Sequence, residues 1–304
     1  MSLFNVISGV ITVIPTFFTQ DRGIDYVSIS EHIKNQINSG IKTIVILSTT
    51  SETPTLSLNE RISIATTIFD EFSDRINIIV GISGNNTLEV INEAKILEPY
   101  CHYMMISAPY YNKPSQEGLY QHFYSVISQV NREFILYNVP SRCGVNIEPE
   151  TVHRLTCDFS RIIGINEASG SINQVIKIRT LCKDINILSG EDALTLPFMS
   201  VGAVGVISVA SNIIPTQMVY MLQQFNQGKL FNASYIFYKL HSLIKLCFIE
   251  SDPTPIKYIL HKRYNFGEFV RLPLVRLTQI NKEIIDSYFE NEFKNINTEL
   301  HENL

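Results

Sequence analysis

The sequence of 304 residues lacks the cysteine and histidine patterns of disulfide frameworks and metal sites. Its five cysteines are odd in number, widely spaced and without a C-x-x-C pair, and its seven histidines show neither H-x-H nor H-E-x-x-H spacing. Disulfide-rich folds and zinc sites need such short spacings. We therefore predict no metal site, and we interpret His102, His122 and His153 as packing or surface residues.

Positive charge is also scarce, with 24 Lys and Arg against 29 Asp and Glu and a net charge of −5. Nucleic-acid binding needs clustered positive charge, so nucleic acid is excluded as a partner and a small-molecule ligand is favoured. No stretch reaches the ~18 uninterrupted apolar residues of a membrane span. The apolar N-terminus has no Lys or Arg before its apolar run and is interrupted by Pro15, unlike a signal peptide. We predict a cytoplasmic protein with no membrane partner.

Hydrophobic residues make up 45% of the chain and charged residues 17%, which excludes disorder and allows a large core. Eight short apolar runs rich in β-branched residues recur, each followed by a stretch with helical periodicity. They lack strict alternation, which is typical of parallel strands buried on both faces. The runs are GVITVI (9–14), KTIVIL (42–47), INIIVG (76–81), HYMMIS (102–107), EFILYN (133–138), IIGIN (162–166), INILSG (185–190) and VGVISV (204–209).

Eight strand–helix units predict an α/β fold, a closed (β/α)8 TIM barrel. The alternative is a doubly wound open sheet, which usually carries a G-x-G-x-x-G turn after its first strand, and residues 9–23 do not provide one. After residue 215 the pattern is only helical. We therefore predict a barrel over residues 1–225 and a C-terminal helical appendage over residues 226–304, packed on the barrel.

Polar and aromatic residues cluster where the predicted strands end, which is the face that carries chemistry in TIM barrels. Each alone has a structural explanation, as a strand-end cap, loop packing or a surface charge, but their convergence on one rim predicts a functional site. The segments are Ser48–Glu52, Pro109–Asn112, Tyr137–Arg142, Asn166–Gly170 and Gly205–Ser208.

The chemistry of this rim is that of hydroxyls and phenols. Adjacent hydroxyls at Thr49 and Thr50, with backbone N–H groups, can hold a carboxylate. A tyrosine can donate and return a proton if its neighbours lower its pKa from about 10. Arg142 supplies a two-pronged contact to a second carboxylate. These residues predict a site for small oxo-acids that uses no cofactor.

Two long segments of the rim carry a family resemblance, APYYNKPSQEGLYQHF (108–123) and ILYNVPSRCGVNIEPETV (135–152). Over about residues 5–225 the chain resembles the pyruvate-dependent lyases of the 4-hydroxy-tetrahydrodipicolinate synthase (dihydrodipicolinate synthase) and N-acetylneuraminate lyase family, and these segments are closer to the dipicolinate branch. The resemblance implies condensation of pyruvate with aspartate semialdehyde for lysine synthesis. It also implies a homo-oligomer, commonly a tetramer built as a dimer of dimers.

The resemblance also implies residue roles. In catalysis, Tyr137 passes protons through Thr49 to Tyr111 of a neighbouring subunit. Substrate contacts are implied for Thr50 and the backbone of Ile207, which hold the pyruvate carboxylate, and for Arg142, which binds the semialdehyde carboxylate. Asn85, Glu89 and Tyr110 match part of a lysine-feedback site, but two positions that are sometimes histidine are Leu58 and Arg61, which argues against inhibition by lysine.

One position breaks the resemblance. The family pattern G-[IV]-K-[ED]-[AS] reads Gly164-Ile165-Asn166-Glu167-Ala168, so Asn166 stands where the Schiff-base lysine is expected. An amide nitrogen is delocalised into its carbonyl and cannot form an imine, which removes the covalent step. The nearest downstream lysine, Lys177, is eleven residues on in a predicted helix, away from the centre.

A second departure lies after strand 2. The family's G-T-T-G-E reads Ser48-Thr49-Thr50-Ser51-Glu52, which replaces both flanking glycines and predicts a narrower loop. Three functions stay open from these residues. They are a lyase of the dipicolinate type with impaired or altered activity, a non-catalytic homologue that binds an oxo-acid or acts as a structural or regulatory subunit, and a related aldolase or dehydratase acting on a sugar acid.

Overall fold

Eight parallel strands form a closed barrel in the computed structural model, which describes residues 7–293. Each strand pairs with the next along the chain, and the first pairs with the eighth to close the sheet. The predicted TIM barrel is therefore confirmed. The strands are β1 (Gly9–Val13), β2 (Thr43–Ile46), β3 (Asn77–Ile82), β4 (Tyr103–Ser107), β5 (Glu133–Asn138), β6 (Ile162–Glu167), β7 (Asn186–Ser189) and β8 (Gly205–Ser208).

Helices connect the strands and cover the barrel from outside. In the described part of the chain, none is long and apolar enough to cross a membrane. The helices are α1 (Tyr26–Asn38), α2 (Leu58–Phe72), α3 (Thr87–Leu97), α4 (Gln116–Ile127), α5 (Pro140–Cys143), α6 (Pro149–Asp158), α7 (Ile172–Leu181), α8 (Thr195–Ser200), α9 (Pro215–Asn226), α10 (Leu230–Leu246), α11 (Thr254–Tyr264) and α12 (Gln279–Tyr288).

Capping residues explain where several helices begin. Asp25 and Ser115 each accept a hydrogen bond from the first turn of α1 and α4. At α2 the Ser57 side chain and Glu60 form a reciprocal capping box. Such caps satisfy N–H groups that have no partner inside the helix, typically stabilising it by about 1 kcal/mol. Helix α2 accordingly begins at Leu58, directly after the Ser57 cap.

The strands are mainly apolar because both of their faces are buried. Residues such as Ile44 and Ile46 pack outward under the helices. Their neighbours in the strands point into the barrel and fill it, as is typical of TIM barrels. The inward set includes Ile11, Val13, Val45, Ile79, Tyr103, Met105, Ile135, Leu188 and Ile207.

Strand register brings polar residues together near the carboxyl end of the barrel. Ser107 of β4 is the register partner of Tyr137 in β5, and Tyr137 is the partner of Asn166 in β6. Asn166 is in turn the partner of Leu188 in β7. Three polar side chains therefore lie on neighbouring strands at one level, just above the apolar filling.

The turn after β2 crosses close to β3. Leu47 has a left-handed backbone with φ of 54°, and a Cβ at Gly81 would lie 2.4 Å from the Leu47 carbonyl oxygen. Only glycine permits this approach, because such a contact would force the backbone apart. Gly81 therefore allows the hydroxyl-rich segment after β2 to bend over the mouth of the barrel.

The C-terminal helices pack on the barrel, with α10 against α9 and α11 close to the segment after β8. The helical pattern predicted after residue 215 continues to the end of the described range, as α12 followed by a π-helical turn to Phe293. The appendage is thus confirmed as helical. Its boundary at residues 225 and 226 stays a prediction.

A buried ion pair joins the appendage to the barrel mouth. The Lys257 Nζ of α11 donates to the Glu52 carboxylate, and both side chains are fully buried. Lys257 also donates to the Phe269 carbonyl at 2.9 Å and lies 4.3 Å from the centre of the Phe18 ring. The second Glu52 oxygen accepts from the Arg271 backbone N–H at 2.9 Å. The two charges are tolerated inside the protein because each is paired and hydrogen-bonded.

We predict that Lys257→Met lowers the free energy of unfolding by about 3–5 kcal/mol, because the Glu52 carboxylate stays buried without its partner. The matched control is Lys262→Met on the same helix, whose partner Asp286 is partly exposed. An exposed pair contributes at most about 1 kcal/mol. The measurement is urea unfolding followed by far-UV circular dichroism, because the chain has no tryptophan. Equal losses in the two variants would contradict the prediction.

Candidate active site

A cavity of about 380 Å³ opens at the carboxyl ends of the strands. The segment after β2 supplies one wall, and residues at the ends of β3, β4 and β5 supply the floor and the opposite wall. The fourth side comes from the C-terminal appendage, through Ser251, Asp252, Pro273 and Leu274. The appendage therefore completes the cavity as well as covering the barrel.

Thr49 and Tyr137 meet in this cavity. Both residues line it. Burial raises the pKa of Tyr137 to about 12, although the nearby Thr49 hydroxyl and the charge of Arg142 oppose the increase. Both neighbours lower this pKa, but loss of solvent around the phenol outweighs them, so the net shift is upward. Tyr137 is thus a protonated donor at neutral pH.

Asn166 lies inside the barrel, 3% exposed, beside the cavity floor. Its Nδ2 donates to the Met105 sulfur at 3.6 Å, and Met105 lines the cavity. Its Oδ1 has no hydrogen-bond partner among the described residues. A Cβ at Gly190 would lie 2.6 Å from this Oδ1, so glycine provides the space that the amide occupies. Lys177 is exposed on α7 and does not reach the interior, as predicted.

The two residues expected to hold a carboxylate lie behind the cavity wall. Thr50 is 1% exposed, and its hydroxyl donates to Asp252 Oδ2 at 2.8 Å. Ile207 is 4% exposed within the barrel filling. Neither residue is part of the cavity lining, whereas Arg142, placed on the short helix α5, is. The Thr50 hydroxyl is therefore already bound to a carboxylate of the protein itself.

Asp252 is a residue of the site that the sequence reasoning missed. It is 5% exposed and lines the cavity, and its Oδ1 has no partner among the described residues. Burial raises the pKa of Asp252 to about 6, against the hydrogen bond from Thr50 and the charge of Arg142. Its only signal in the sequence is an acid between apolar residues and prolines, in CFIESDPTPIKYIL (247–260).

The adjacent residues Tyr110 and Tyr111, which follow β4, have different surroundings. Tyr110 lines the cavity and is 37% exposed, whereas Tyr111 is 86% exposed with a left-handed φ of 71°. The other two residues matched to a feedback site, Asn85 and Glu89, are exposed just before and within α3. The structure thus places Tyr110 in the same cavity as Tyr137 and leaves Asn85 and Glu89 on the surface.

Strained backbone concentrates around the cavity. Six non-glycine residues in the described range have positive φ, and four of them lie in the segments after β2 and β4. A non-glycine residue in this region costs of order 1 kcal/mol and persists only where its surroundings hold it. The four are Leu47, Glu52, Tyr111 and Lys113.

Glu167, the residue after Asn166, has a structural role. Its carboxylate is fully buried and accepts from Asn138 Nδ2 at 3.0 Å, from Gln174 Nε2 at 3.2 Å and from the Ser169 backbone at 2.8 Å. These donors satisfy the charge and hold the end of β6 against β5. The acid therefore fixes the strand that presents Asn166.

A family model described as the dihydrodipicolinate synthetase family matches residues 6–291. The chain belongs to this family. It is 39% identical over 276 residues to the 4-hydroxy-tetrahydrodipicolinate synthase of Endomicrobium trichonymphae, an alignment covering 90% of this chain and 94% of that protein.

Solved structures of family members share the fold. The 4-hydroxy-tetrahydrodipicolinate synthase from Methylacidiphilum fumariolicum SolV superposes with a TM-score of 0.92 at 36% identity, covering 96% of this chain and 99% of that one. A dihydrodipicolinate synthase variant described as monomeric superposes with a TM-score of 0.90 at 33% identity, covering 93% and 96%.

Within this dihydrodipicolinate synthetase family member, the two serines of the segment after β2 lie on unstrained backbone. Neither Ser48 nor Ser51 has a positive φ. The Ser51 hydroxyl donates to the Ile14 carbonyl at 2.7 Å and accepts from the Ser48 N–H at 3.3 Å. The Ser51 hydroxyl therefore ties the segment to the end of β1.

We predict that Ser107→Ala changes the free energy of unfolding by less than about 1 kcal/mol, because no described protein group hydrogen-bonds the Ser107 hydroxyl. The same change at Ser51 loses two hydrogen bonds and should cost about 1–2 kcal/mol. Urea unfolding compares the two variants. A loss at Ser107 as large as that at Ser51 would show that the hydroxyl is bonded within the protein.

Proposed function

We propose that this protein is a dihydrodipicolinate-synthase-type lyase whose pyruvate step is impaired or altered. Its cavity binds pyruvate or a related small 2-oxo acid without forming an imine. The observation that carries the proposal is the contrast within one site: Tyr137, Thr49 and Arg142 line the cavity, while the adjacent interior position holds Asn166.

The residues retained in the cavity suit the handling of a carboxylate and a proton. Arg142 can hold a carboxylate at the mouth, where it is always charged. Tyr137, protonated at neutral pH, can donate to an oxygen of the ligand, and Thr49 can relay that proton. In the reaction of its named relatives this chemistry would join pyruvate to aspartate semialdehyde.

Asn166 limits the rate of such a reaction. Carbon–carbon bond formation requires the pyruvate methyl group to lose a proton, and a protonated imine stabilises the resulting carbanion. Asn166 can hydrogen-bond a carbonyl oxygen, but its nitrogen lone pair is delocalised and cannot add to the carbonyl carbon. Without a covalent intermediate the carbanion is stabilised only by hydrogen bonds, so turnover is slow.

Association with further copies of the chain is part of the proposal. Tyr111 is 86% exposed on strained backbone, which supports a role in completing the relay of a neighbouring copy in a homo-oligomer, as a dimer of dimers. One superposed family structure is of a variant described as monomeric, so other oligomeric states occur among the relatives. We also propose a cytoplasmic location and no nucleic-acid or membrane partner.

A second candidate function is a non-catalytic homologue that binds an oxo-acid or serves as a structural or regulatory subunit. Asn166 itself favours it, because the described lysine nearest along the chain, Lys177, is exposed outside the barrel. The two functions differ in one measurable respect. The lyase retains some condensation of pyruvate with aspartate semialdehyde, and the binding protein has none.

We predict that borohydride leaves no reduced pyruvate adduct on the wild-type protein in intact mass spectrometry, because no lysine is among the described residues that line the cavity. Asn166→Lys should gain one adduct per chain and at least tenfold faster condensation, because the amine then lies beside Tyr137. The control is Asn166→Met, which has the length of lysine without its amine.

The outcomes test imine formation and separate the two candidate functions. An adduct on the wild-type chain overturns the absence of imine chemistry, and peptide mapping would locate the lysine. An adduct with no condensation in Asn166→Lys shows that the remaining residues no longer support the lyase reaction. Condensation by the wild-type protein rules out the purely binding function.

A further inference from the structure

Asp252 shares the cavity with any ligand that enters it. Among the described residues that line the cavity, the charged side chains are Glu52, Arg142 and Asp252. Glu52 is neutralised by its buried pair with Lys257. An anionic ligand therefore meets one cation, Arg142, and one acid that has no ion-pair partner, Asp252.

The two oxygens of Asp252 have different surroundings. Oδ2 accepts from the Thr50 hydroxyl at 2.8 Å. Oδ1 is buried and has no hydrogen-bond partner among the described residues. A buried, unpartnered carboxylate oxygen is unfavourable, whereas a protonated one becomes a hydrogen-bond donor. Oδ1 is thus the oxygen on which a proton would sit, with the bond to Thr50 kept intact.

We propose that Asp252 binds the ligand as a neutral acid: a 2-oxo acid enters the cavity together with one proton, which Asp252 Oδ1 carries and donates to the ligand's carboxylate. This inference rests on the proposed function, because it takes the ligand to be a 2-oxo acid anion. A carboxylic acid next to a carboxylate forms a strong charge-assisted hydrogen bond. Two ionised carboxylates in one buried cavity repel each other, so one of them takes up a proton.

The groups around Asp252 favour proton uptake at this acid over uptake at a neighbouring one. Arg142 favours the ionised form, while the buried acids Glu52 and Asp192 favour the neutral form. The Asp192 carboxylate accepts hydrogen bonds from the Ser208 hydroxyl at 2.5 Å and from the Val209 and Ala210 backbone N–H groups at 2.9 and 3.0 Å. The other ionisable groups that interact with Asp252 are Tyr137, Cys247 and Lys257.

The sign of the pH dependence follows from burial. Because the pKa of Asp252 is raised to about 6, the acid is mostly neutral at pH 5.5 and mostly ionised at pH 7.5. A ligand that needs the neutral acid binds more weakly as pH rises, by up to tenfold per unit above this pKa. Lys257, whose pKa burial lowers to about 8, stays mostly charged over this range.

Isothermal titration calorimetry with pyruvate at pH 5.5, 6.5 and 7.5 tests the proposal. In the wild-type protein we expect Kd to rise about 20-fold over this range. Repeating the pH 7.5 titration in buffers of different ionisation enthalpy should show uptake of close to one proton per pyruvate. This second measurement needs no variant.

Two variants locate the proton. Asp252→Asn keeps an oxygen for Thr50 but carries no charge, so its Kd should change less than twofold between pH 5.5 and 7.5. Glu191→Gln is the matched control, since Glu191 interacts with Arg142 but does not line the cavity, and it should keep the wild-type pH dependence.

The outcomes separate this inference from the proposed function. Pyruvate binding by wild type with no pH dependence and no proton uptake overturns the role of Asp252 but leaves oxo-acid binding standing. A pH dependence that survives in Asp252→Asn, or is lost in Glu191→Gln, overturns it as well. Failure of both wild type and Asp252→Asn to bind pyruvate at any pH overturns the proposed function, and the coupling with it.

Discussion

The buried pair between Glu52 and Lys257 holds the candidate site together. Glu52 ends the hydroxyl-rich segment after β2 in a left-handed backbone conformation, and Lys257 lies on α11 in the C-terminal appendage. A buried charge without its partner costs several kcal/mol, so the two segments must stay in contact in the folded state. That contact keeps Thr50 and Asp252 within hydrogen-bond distance and closes the fourth side of the cavity.

Neighbouring contacts strengthen this junction. Arg271 makes two hydrogen bonds to the Glu60 carboxylate, at 2.9 and 2.6 Å, and its guanidinium lies 4.5 Å from the centre of the Phe18 ring. Phe18 is therefore flanked by the cations of Lys257 and Arg271, an arrangement in which the ring face attracts positive charge. Glu60 also caps α2, so the appendage is fixed to the start of a barrel helix as well as to the mouth.

The sequence predicts the barrel well because its signals are local. Apolar β-branched runs, helical periodicity and caps such as Ser57 each act over a few residues, and all eight predicted strands are present. The absence of an amine at Asn166 can also be read from the sequence, since the identity of one side chain decides it. Asp252 is not, because its position depends on a contact with Thr50 across 202 residues of sequence. Burial likewise decides the raised pKa of Tyr137, and burial belongs to the folded chain.

Asn166 and Asp252 both determine how the cavity would bind an anionic ligand. An imine would hold a 2-oxo acid covalently, so its affinity would not depend on the charge of the cavity alone. With Asn166 in that position, retention depends on hydrogen bonds and on the charge of Arg142. An ionised Asp252 offsets that charge within the same cavity, whereas a neutral Asp252 leaves it unopposed and adds a donor. Under the proposed function, binding without an imine therefore makes the protonation of Asp252 decisive for the affinity of the cavity.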